Sequence, residues 1–158
     1  MADDLTALED WAANLLQQMQ PTQRRRLTLD IARQLRRSQT ANMRAQHGPD
    51  GEAWEPRKKS TGLRSARARI RQAAKASQPM FAKLRLARHI KAVGTGNEAV
   101  VMFAGRAARI ARVHHFGETD DVKPGGPRYN YPARPLLGIT NADRERLRDL
   151  LLEHLTRA

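Results

Sequence analysis

Apolar residues recur at helical spacing over the first 45 residues of the chain. In the first run they fall near one face of a helix and are Leu5, Leu8, Leu15, Leu16 and Met19. Pro21 then begins a new element, because proline is tolerated in the first turn of a helix. A second stripe, at steps of four, consists of Leu27, Ile31 and Leu35. The spacing predicts two amphipathic helices, the second ending near Ala45, which together form a helical hairpin or arm over residues 1–45.

The apolar periodicity stops over residues 46–78. The run Gln46-His-Gly-Pro-Asp-Gly51 is rich in turn formers, since proline fixes φ and glycine accepts positive φ. Residues 63–77 are basic and almost free of large apolar side chains, so they offer no core-facing side. They are either a mobile loop or a helix that a partner orders. We therefore treat residues 46–78 as a basic loop or arm.

Residues 79–158 combine helical and strand patterns. Pro79 opens a short apolar and basic run, Met80 to Ile90, which we interpret as a helix. Two β-type runs, Ile90 to Val93 and Ala99 to Phe103, flank a Gly- and Asn-containing turn, which is typical of a hairpin. A further short helix is predicted from Arg106 to His115, ended by Gly117.

The C-terminal part of the chain contains a loop, an extended segment and a last helix. Residues 118–131 are rich in Gly and Pro, and Pro132 and Pro135 keep the following segment extended. Thr140 or Asn141 is a suitable cap for the final helix, with Asp143 in its first turn. The pattern predicts an α+β fold: an N-terminal helical hairpin, a small antiparallel β-sheet packed with helices, and a C-terminal helix.

Positive charge is concentrated in the middle of the chain. The net charge is +13 over 158 residues, about the size of one domain. Residues 1–23 carry four acids and no base, whereas residues 24–91 carry 19 bases and 4 acids. Such a basic region attracts nucleic acid, an acidic protein surface, or the acidic N-terminus of a neighbouring copy. A solvated, Arg-rich helix face is an equally good interpretation of the same residues.

Several classes of protein are disfavoured by what the sequence lacks. Cysteine is absent, which excludes disulfides, a thiolate nucleophile and a Cys-based zinc site. The chain has no apolar stretch long enough to cross a membrane, and its acidic N-terminus is unlike a secretory signal. These features favour assembly in a cytoplasm, without a membrane partner.

The candidate catalytic groups do not form a convincing site. His114 and His115 are adjacent, so on a helix they point about 100° apart, whereas a helical zinc pair needs positions i and i+4. Asp120 and Asp121 lie in the predicted loop, which favours solvated carboxylates. We therefore predict no enzyme activity, no metal and no cofactor. A hydrolase would need a His beside a buried carboxylate, in a pocket.

Five segments, in order along the chain, resemble the phage virion morphogenesis or tail completion family of contractile-tailed phages. They are Ile31-Ala-Arg-Gln-Leu-Arg-Arg-Ser, Gln46-His-Gly-Pro-Asp-Gly51 with Trp54-Glu-Pro-Arg-Lys58, Met80-Phe-Ala-Lys-Leu84 with Ala87-Arg-His-Ile90, Ile110-Ala-Arg-Val-His-His-Phe-Gly117, and Tyr131-Pro-Ala-Arg-Pro-Leu-Leu-Gly138. His115 departs from the family pattern, in which a Gln-like residue is more usual. The resemblance covers about residues 5–157.

The resemblance implies an α+β fold and a structural role near the head-proximal end of a phage tail, without catalytic residues. Proteins at this position generally form rings that match the symmetry of the tail, which implies a hexamer. The expected partners are further copies of the chain, tail tube and sheath proteins, and the head connector. The expected location is the tail or neck of the virion, after assembly in the host cytoplasm. Nonspecific contact with the genomic DNA is a further hypothesis.

Two groups of residues are candidates for these contacts. The candidate partner contacts are Trp54, Arg57, Arg134, His114 and Phe116. For Trp54 and Arg57 core packing is an equal alternative, and Arg134 also suits a rigid lead-in to the last helix. The candidate DNA- or polyanion-facing residues are Arg64, Arg67, Arg69, Arg71 and Lys75. They support the alternative function, a sequence-nonspecific nucleic-acid-binding protein, although residues 57–78 lack aromatics for base stacking.

Overall fold

The structure is a computed structural model that describes residues 2–57, 66–76 and 78–156. Its helices are α1 (Ala2–Gln18), α2 (Pro21–Ala45), α3 (Ala66–Ala76), α4 (Arg106–Phe116) and α5 (Asn141–Thr156). Its strands are β1 (Ile90–Gly94), β2 (Ala99–Phe103), β3 (Thr119–Asp121) and β4 (Arg128–Asn130). The strands form two small sheets, β1 with β2 and β3 with β4. The predicted α+β class, with helices at both ends of the chain, is confirmed.

The chain folds into two compact units, each built from separated segments. Unit 1 contains Met1–Ser38, Lys91–Met102 and Ile139–Ala158, and unit 2 contains Gln39–Ile90 and Phe103–Gly138. The division predicted from the sequence, into residues 1–45, 46–78 and 79–158, follows position along the chain instead and stays a prediction.

The core of unit 1 forms where the apolar stripes of three helices meet. Met19, Leu27 and Leu151 are buried together, and Ala12, Ile31 and Leu150 pack against them. Burial of each large side chain contributes about 1.5–3 kcal/mol, so this cluster fixes α1, α2 and α5 in place. The predicted stripe on α2 is thus confirmed at Leu27 and Ile31. Within the described residues, no helix is both long enough and apolar enough to cross a membrane.

Helix α5 begins with a reciprocal cap. The backbone N–H of Asp143 donates to Thr140 Oγ1 (2.9 Å), and the backbone N–H of Thr140 donates to Asp143 Oδ2 (3.0 Å). Two amides that lack partners within the helix are satisfied in this way. The predicted start of the last helix is confirmed, and the cap gives the buried carboxylate of Asp143 hydrogen bonds at Oδ2.

The β1–β2 hairpin of unit 1 approaches α2 very closely. The Thr28 hydroxyl donates to the carbonyl oxygen of Thr95 in the hairpin turn. A Cβ atom added at Gly94 would lie 2.3 Å from the backbone nitrogen of Leu29. Glycine is therefore required at position 94 by backbone proximity, since only it leaves room for the helix.

The helix predicted for Met80 to Ile90 is wrong. This segment forms consecutive turns before β1 begins at Ile90. Two features of the backbone are incompatible with a regular helix here. Phe81 has a φ of 60°, outside the helical region. Both polar groups of the Met80 backbone bond to the side chain of Gln46, the N–H to Oε1 (2.7 Å) and the carbonyl oxygen to Nε2 (3.2 Å).

Two other segments are more ordered than the sequence indicated. Within the predicted 118–131 loop, β3 and β4 pair antiparallel, with Thr119 opposite Asn130 and Asp121 opposite Arg128. These strands are short and polar, so they carry no apolar alternation. Of the two interpretations of residues 63–77, the helix is the one observed over Ala66–Ala76. Residues 58–65 and 77 lie outside the described part of the chain.

Candidate partner-binding site

Arg134 joins three segments of unit 2. Its side chain is buried, with 4% of its surface exposed. The guanidinium donates from Nε to the carbonyl oxygen of Glu55 (2.8 Å) and from Nη2 to that of Pro56 (3.3 Å). The backbone N–H of Arg134 donates to the carbonyl oxygen of His114 at the end of α4 (2.7 Å). The planar fork of arginine suits two acceptors at once, so a single side chain fixes the loop around Pro56.

The end of α4 is shaped to receive the extended segment that follows β4. Gly117 caps the helix in the left-handed conformation, with a φ of 72°. A Cβ atom there would lie 2.9 Å from the backbone nitrogen of Ala133. The neighbouring His115 accepts a hydrogen bond at Nδ1 from the backbone N–H of Leu136 (3.1 Å). His115 thus binds the segment that contains Arg134.

A row of aromatic rings runs through unit 2. Its edge-to-face pairs are Trp54 with Phe81 (5.4 Å between ring centroids), Phe81 with His114 (4.9 Å), His114 with Tyr131 (4.7 Å), and Tyr131 with Tyr129 (5.0 Å). Such pairs contribute about 0.5–1.5 kcal/mol each beyond the burial of their area. The row therefore joins the Trp54 loop, α4 and β4 into one packed unit.

A cleft of about 270 Å³ opens beside this aromatic row. Its lining is mainly apolar and aromatic, with charged groups at several points, and consists of Glu55, Pro56, Arg57, Met80, Phe81, His114, Tyr129, Tyr131, Pro132 and Arg134. Arg57 donates from Nη2 to the carbonyl oxygen of Pro79 (3.2 Å), which holds its side chain at this cleft. A concave, mostly apolar surface with a few polar groups is typical of a binding site.

The structure brings together four of the five predicted partner contacts. Arg57, Arg134 and His114 line the cleft, and Trp54, which is 8% exposed, adjoins it through Phe81. Phe116 is 67% exposed and stacks edge-to-face on His115 (4.5 Å). Burial of Trp54 and Arg134 gives both a packing role within unit 2. That any of the five contacts a partner stays a prediction.

The predicted polyanion-facing residues lie on or beside α3. Arg67, Arg69 and Arg71 are exposed on this helix. Lys75 belongs to α3, but its side chain lies outside the described residues, as does Arg64 altogether. Their contact with DNA stays a prediction.

Sequence reasoning missed two glutamines that join distant segments of unit 2. Gln39 clamps Gly138, donating from Nε2 to its carbonyl oxygen (2.5 Å) and accepting at Oε1 from its N–H (3.1 Å). Gln46 does the same for Met80, across 34 positions of the chain. A glutamine amide in a polar stretch carries no signal of such a partner. Tyr129 and Tyr131 were detectable, because two aromatics at alternate positions are typical of one face of a strand.

His114 is held neutral by its surroundings. Burial of the ring, and then the positive charge of Arg134, lower the pKa of His114 from 6.5 to about 4. Its Nδ1 is buried and has no hydrogen-bond partner among the described residues. An imidazole that packs between Phe81 and Tyr131 acts here as an aromatic spacer. Across the described part of the chain, no three His, Asp or Glu side chains are grouped so as to hold a metal ion.

The His114 environment predicts a loss of stability in mild acid. Because the folded-state pKa lies below the unfolded value, stability is complete above about pH 6.5 and falls as the pH approaches 4. The pKa shift of His114 sets an upper bound of about 3 kcal/mol on the loss in free energy of unfolding. Solvent screening of the half-exposed ring reduces the expected loss to about 1 kcal/mol. Urea unfolding at about pH 7.5 and about pH 5 measures it.

The matched variant for this test is His114→Asn, which cannot titrate. We expect its free energy of unfolding to change less between the two pH values than that of the wild type. Some pH dependence remains in this variant, because burial also lowers the pKa of His115. Equal pH dependence in the variant and the wild type would contradict the role assigned to His114.

Four of the five segments that carry the family resemblance meet in unit 2, whereas the first, residues 31–38, belongs to unit 1. Arg134 of the last segment binds the Trp54 loop and His114, Gln46 binds Met80, and the ring of Pro49 packs so tightly on Gly138 that an added Cβ would lie 2.4 Å from its Cγ. The phage virion morphogenesis family matches residues 3–156 of the chain. The chain belongs to this family. The predicted resemblance is thereby confirmed over nearly the whole sequence.

The chain is also similar to a named phage protein. The chain is similar to tail completion protein S of Escherichia phage P2, with 33% identity over 156 residues, which cover 98% of this chain and 99% of the relative. No solved structure matches the chain significantly.

Proposed function

We propose that this phage virion morphogenesis protein completes the tail of a phage particle, as a structural component without catalytic residues. The observation that carries the proposal is the similarity to a tail completion protein, end to end in both chains.

The arrangement of unit 2 supports a role in binding other tail components. The cleft holds apolar surface beside charged groups, and its walls are fixed by the Arg134 and Gln46 hydrogen bonds. A preorganised cleft loses little conformational entropy when a partner segment enters. Phe116, exposed at the end of α4, adds an aromatic side chain of the kind that anchors protein interfaces.

The proposal extends to how the protein assembles and where in the particle it lies. The protein forms a ring, hexameric if it follows the tail's symmetry, at the head-proximal end of the tail. There it contacts tail tube or sheath proteins and the head connector. It assembles in the host cytoplasm and stays in the virion. Identical subunits joined by one repeated contact form a ring when the rotation between neighbours closes, and an open filament when it does not.

Deleting the gene from its phage tests the role in tail completion. We expect lysates of the deletion phage to contain filled heads and separate, unfinished tails, and few infectious particles. Supplying the wild-type chain from a plasmid restores joined particles. Negative-stain electron microscopy with particle counts distinguishes the outcomes. Normal numbers of complete, infectious virions without the protein would contradict the proposal.

Nonspecific nucleic-acid binding is the second candidate function. It is favoured by the exposed guanidinium groups of Arg67, Arg69 and Arg71 on α3. Phosphate contacts weaken steeply with salt, so binding to a labelled DNA duplex measured between about 50 and 200 mM salt tests it. Tight, salt-sensitive binding, lost on replacing the three arginines with glutamine, favours this function. Absence of binding at the lower salt rejects it.

A further inference from the structure

Helix α3 is exposed on every side that the structure describes. The exposed side chains include Arg67, Arg69, Ile70, Arg71 and Ala73. Ile70 alone has 70% of its surface exposed. Since these positions point in different directions around the helix axis, α3 gains little stability from packing within its own copy.

The helical state of α3 also has an electrostatic cost. The helix is 11 residues long, and isolated helices shorter than about 12–15 residues are marginal in water. Arg67 and Arg71, and then Arg71 and Lys75, are like charges four residues apart, which destabilises a helix. Arg67 and Arg69 also lie near the N-terminal end, where the helix dipole is positive and no acid stands in the first turn. An acidic partner would relieve both the repulsion between the like charges and the unfavourable position of the bases near the N-terminal end.

Helix α1 has the complementary charge. It contains Asp3, Asp4, Glu9 and Asp10, and no base occurs within residues 1–23. The side chains of Glu9 and Asp10 are exposed, and Trp11 beside them is 39% exposed. Ala12 packs on the core of unit 1 and lies nearly opposite Asp10 on the helix, whereas Glu9 lies at the margin of the packed face. Among the described side chains, helix α1 thus exposes the two acids Glu9 and Asp10 next to the partly exposed Trp11.

We infer that α1 of one copy docks on α3 of the neighbouring copy, an inference that rests on the proposed ring. The four acids of α1 span about 10 Å and the four bases of α3 about 12 Å along their axes, at 1.5 Å per residue. Opposite charges thus extend over similar lengths of the two helices, and Arg67 and Arg71, about one turn apart, share one side of α3. The contact also brings the exposed Ile70 of α3 against the partly exposed Trp11 of α1. It joins two different surfaces, so its repetition around a rotation axis generates a closed ring.

Disulfide trapping tests the contact directly, because the chain has no cysteine of its own. One copy carries Asp10→Cys and another carries Arg71→Cys, and the two are mixed under mild oxidation. We expect a cross-linked dimer in the mixture, in excess over either variant oxidised alone. A variant with Lys91→Cys, exposed on β1, replaces the α3 partner as the control. A mixture that cross-links no more than this control overturns the inference.

Charge reversal provides the second test. In the acid-reversed variant Glu9→Lys is combined with Asp10→Lys, and in the base-reversed variant Arg67→Glu is combined with Arg71→Glu. By light scattering we expect the wild type to assemble and each variant alone to remain at the monomer mass of 17.8 kDa. A mixture of the two variants, whose charges are again opposite across each contact, recovers the oligomer. The control, Lys91→Glu with Arg106→Glu, changes the charge equally and keeps the oligomer.

The outcomes separate this contact from the proposed ring. If the wild type assembles but the reversed variants assemble as well, the ring stands and the α1–α3 contact is wrong. A base-reversed variant that assembles normally and loses only DNA binding assigns α3 to nucleic acid and overturns the inference. A wild type that stays monomeric at every concentration, without cross-linking, overturns both the contact and the ring.

Discussion

Replacing Arg134 with methionine is expected to lower the free energy of unfolding by about 3 kcal/mol, since hydrogen bonds from a charged group contribute about 1.5–3 kcal/mol each. Arg134 donates to two carbonyl oxygens, those of Glu55 and Pro56, from a site that is 4% exposed. Methionine fills similar volume but offers no donor. The two acceptors lose their charged donor, and the loop that forms one wall of the cleft loses its anchor. Chemical denaturation measures the stability.

The same variant is expected to abolish the ability of the protein to complete tails, because the cleft is no longer held in shape. Arg128→Met is the matched control, since Arg128 lies on β4 and is exposed. It should lose less than about 0.5 kcal/mol, as is usual for exposed sites. Arg134→Lys keeps the charge but not the fork, so we expect an intermediate loss. An Arg134→Met protein as stable as the control would contradict the role given to this residue.

Replacing Gly94 with alanine is expected to destabilise unit 1 by about 3 kcal/mol, at the upper end of the usual range for overpacking. The added Cβ would lie 2.3 Å from the backbone nitrogen and 2.5 Å from the Cα of Leu29. Both are backbone atoms of α2, so no side-chain rotation relieves the clash. The hairpin must move away from the helix and lose the Thr28 to Thr95 hydrogen bond. We expect the melting temperature to fall by roughly 6–12 °C.

Gly96 supplies the control in the same hairpin turn. A Cβ atom there meets nothing within 4 Å, and its φ is not positive. Gly96→Ala should therefore leave the melting temperature almost unchanged. Equal effects at the two positions would mean that loss of glycine flexibility, and not contact with α2, decides the stability of this turn.

The parts of the fold that depend on local sequence were predictable. The stripe through Leu27 and Ile31 gave α2, and the prolines on either side of Arg134 gave the extended segment. The cap at Thr140 gave the start of α5. In each case the signal lies within a few residues of the element, as helix periodicity and capping require.

The parts that depend on distant partners were not predictable from local pattern. Met80 to Ile90 has helix-forming residues, yet Gln46 binds the Met80 backbone and the segment forms turns. The β3–β4 hairpin is polar and short, so no alternation marked it. A tertiary contact overrode propensity in the first case, and in the second the strands bury too little to leave a pattern.

In the candidate site, too, the residues were predictable from the sequence and their contacts with distant partners were not. Arg57, His114 and Arg134 were named from motifs, and they do meet at one cleft. What the sequence did not supply was the way they are joined: the guanidinium on the Glu55 and Pro56 carbonyl oxygens, and the aromatic row from Trp54 to Tyr129. A motif shows which residues matter, but the hydrogen bond between Arg134 and Glu55 joins positions 79 residues apart. Such a bond follows from the packing of the whole unit.

Completion of tails in vitro tests the central claim most directly. A lysate of the deletion phage, which contains heads and unfinished tails, receives increasing amounts of the purified wild-type protein, and infectious particles are counted as plaques. We predict a titre that rises with the amount of protein, remains at background with Arg134→Met, and rises normally with Arg128→Met. A titre that stays at background with the folded wild-type protein, while a plasmid copy of the whole tail gene region restores it, would contradict the claim that this chain completes the tail.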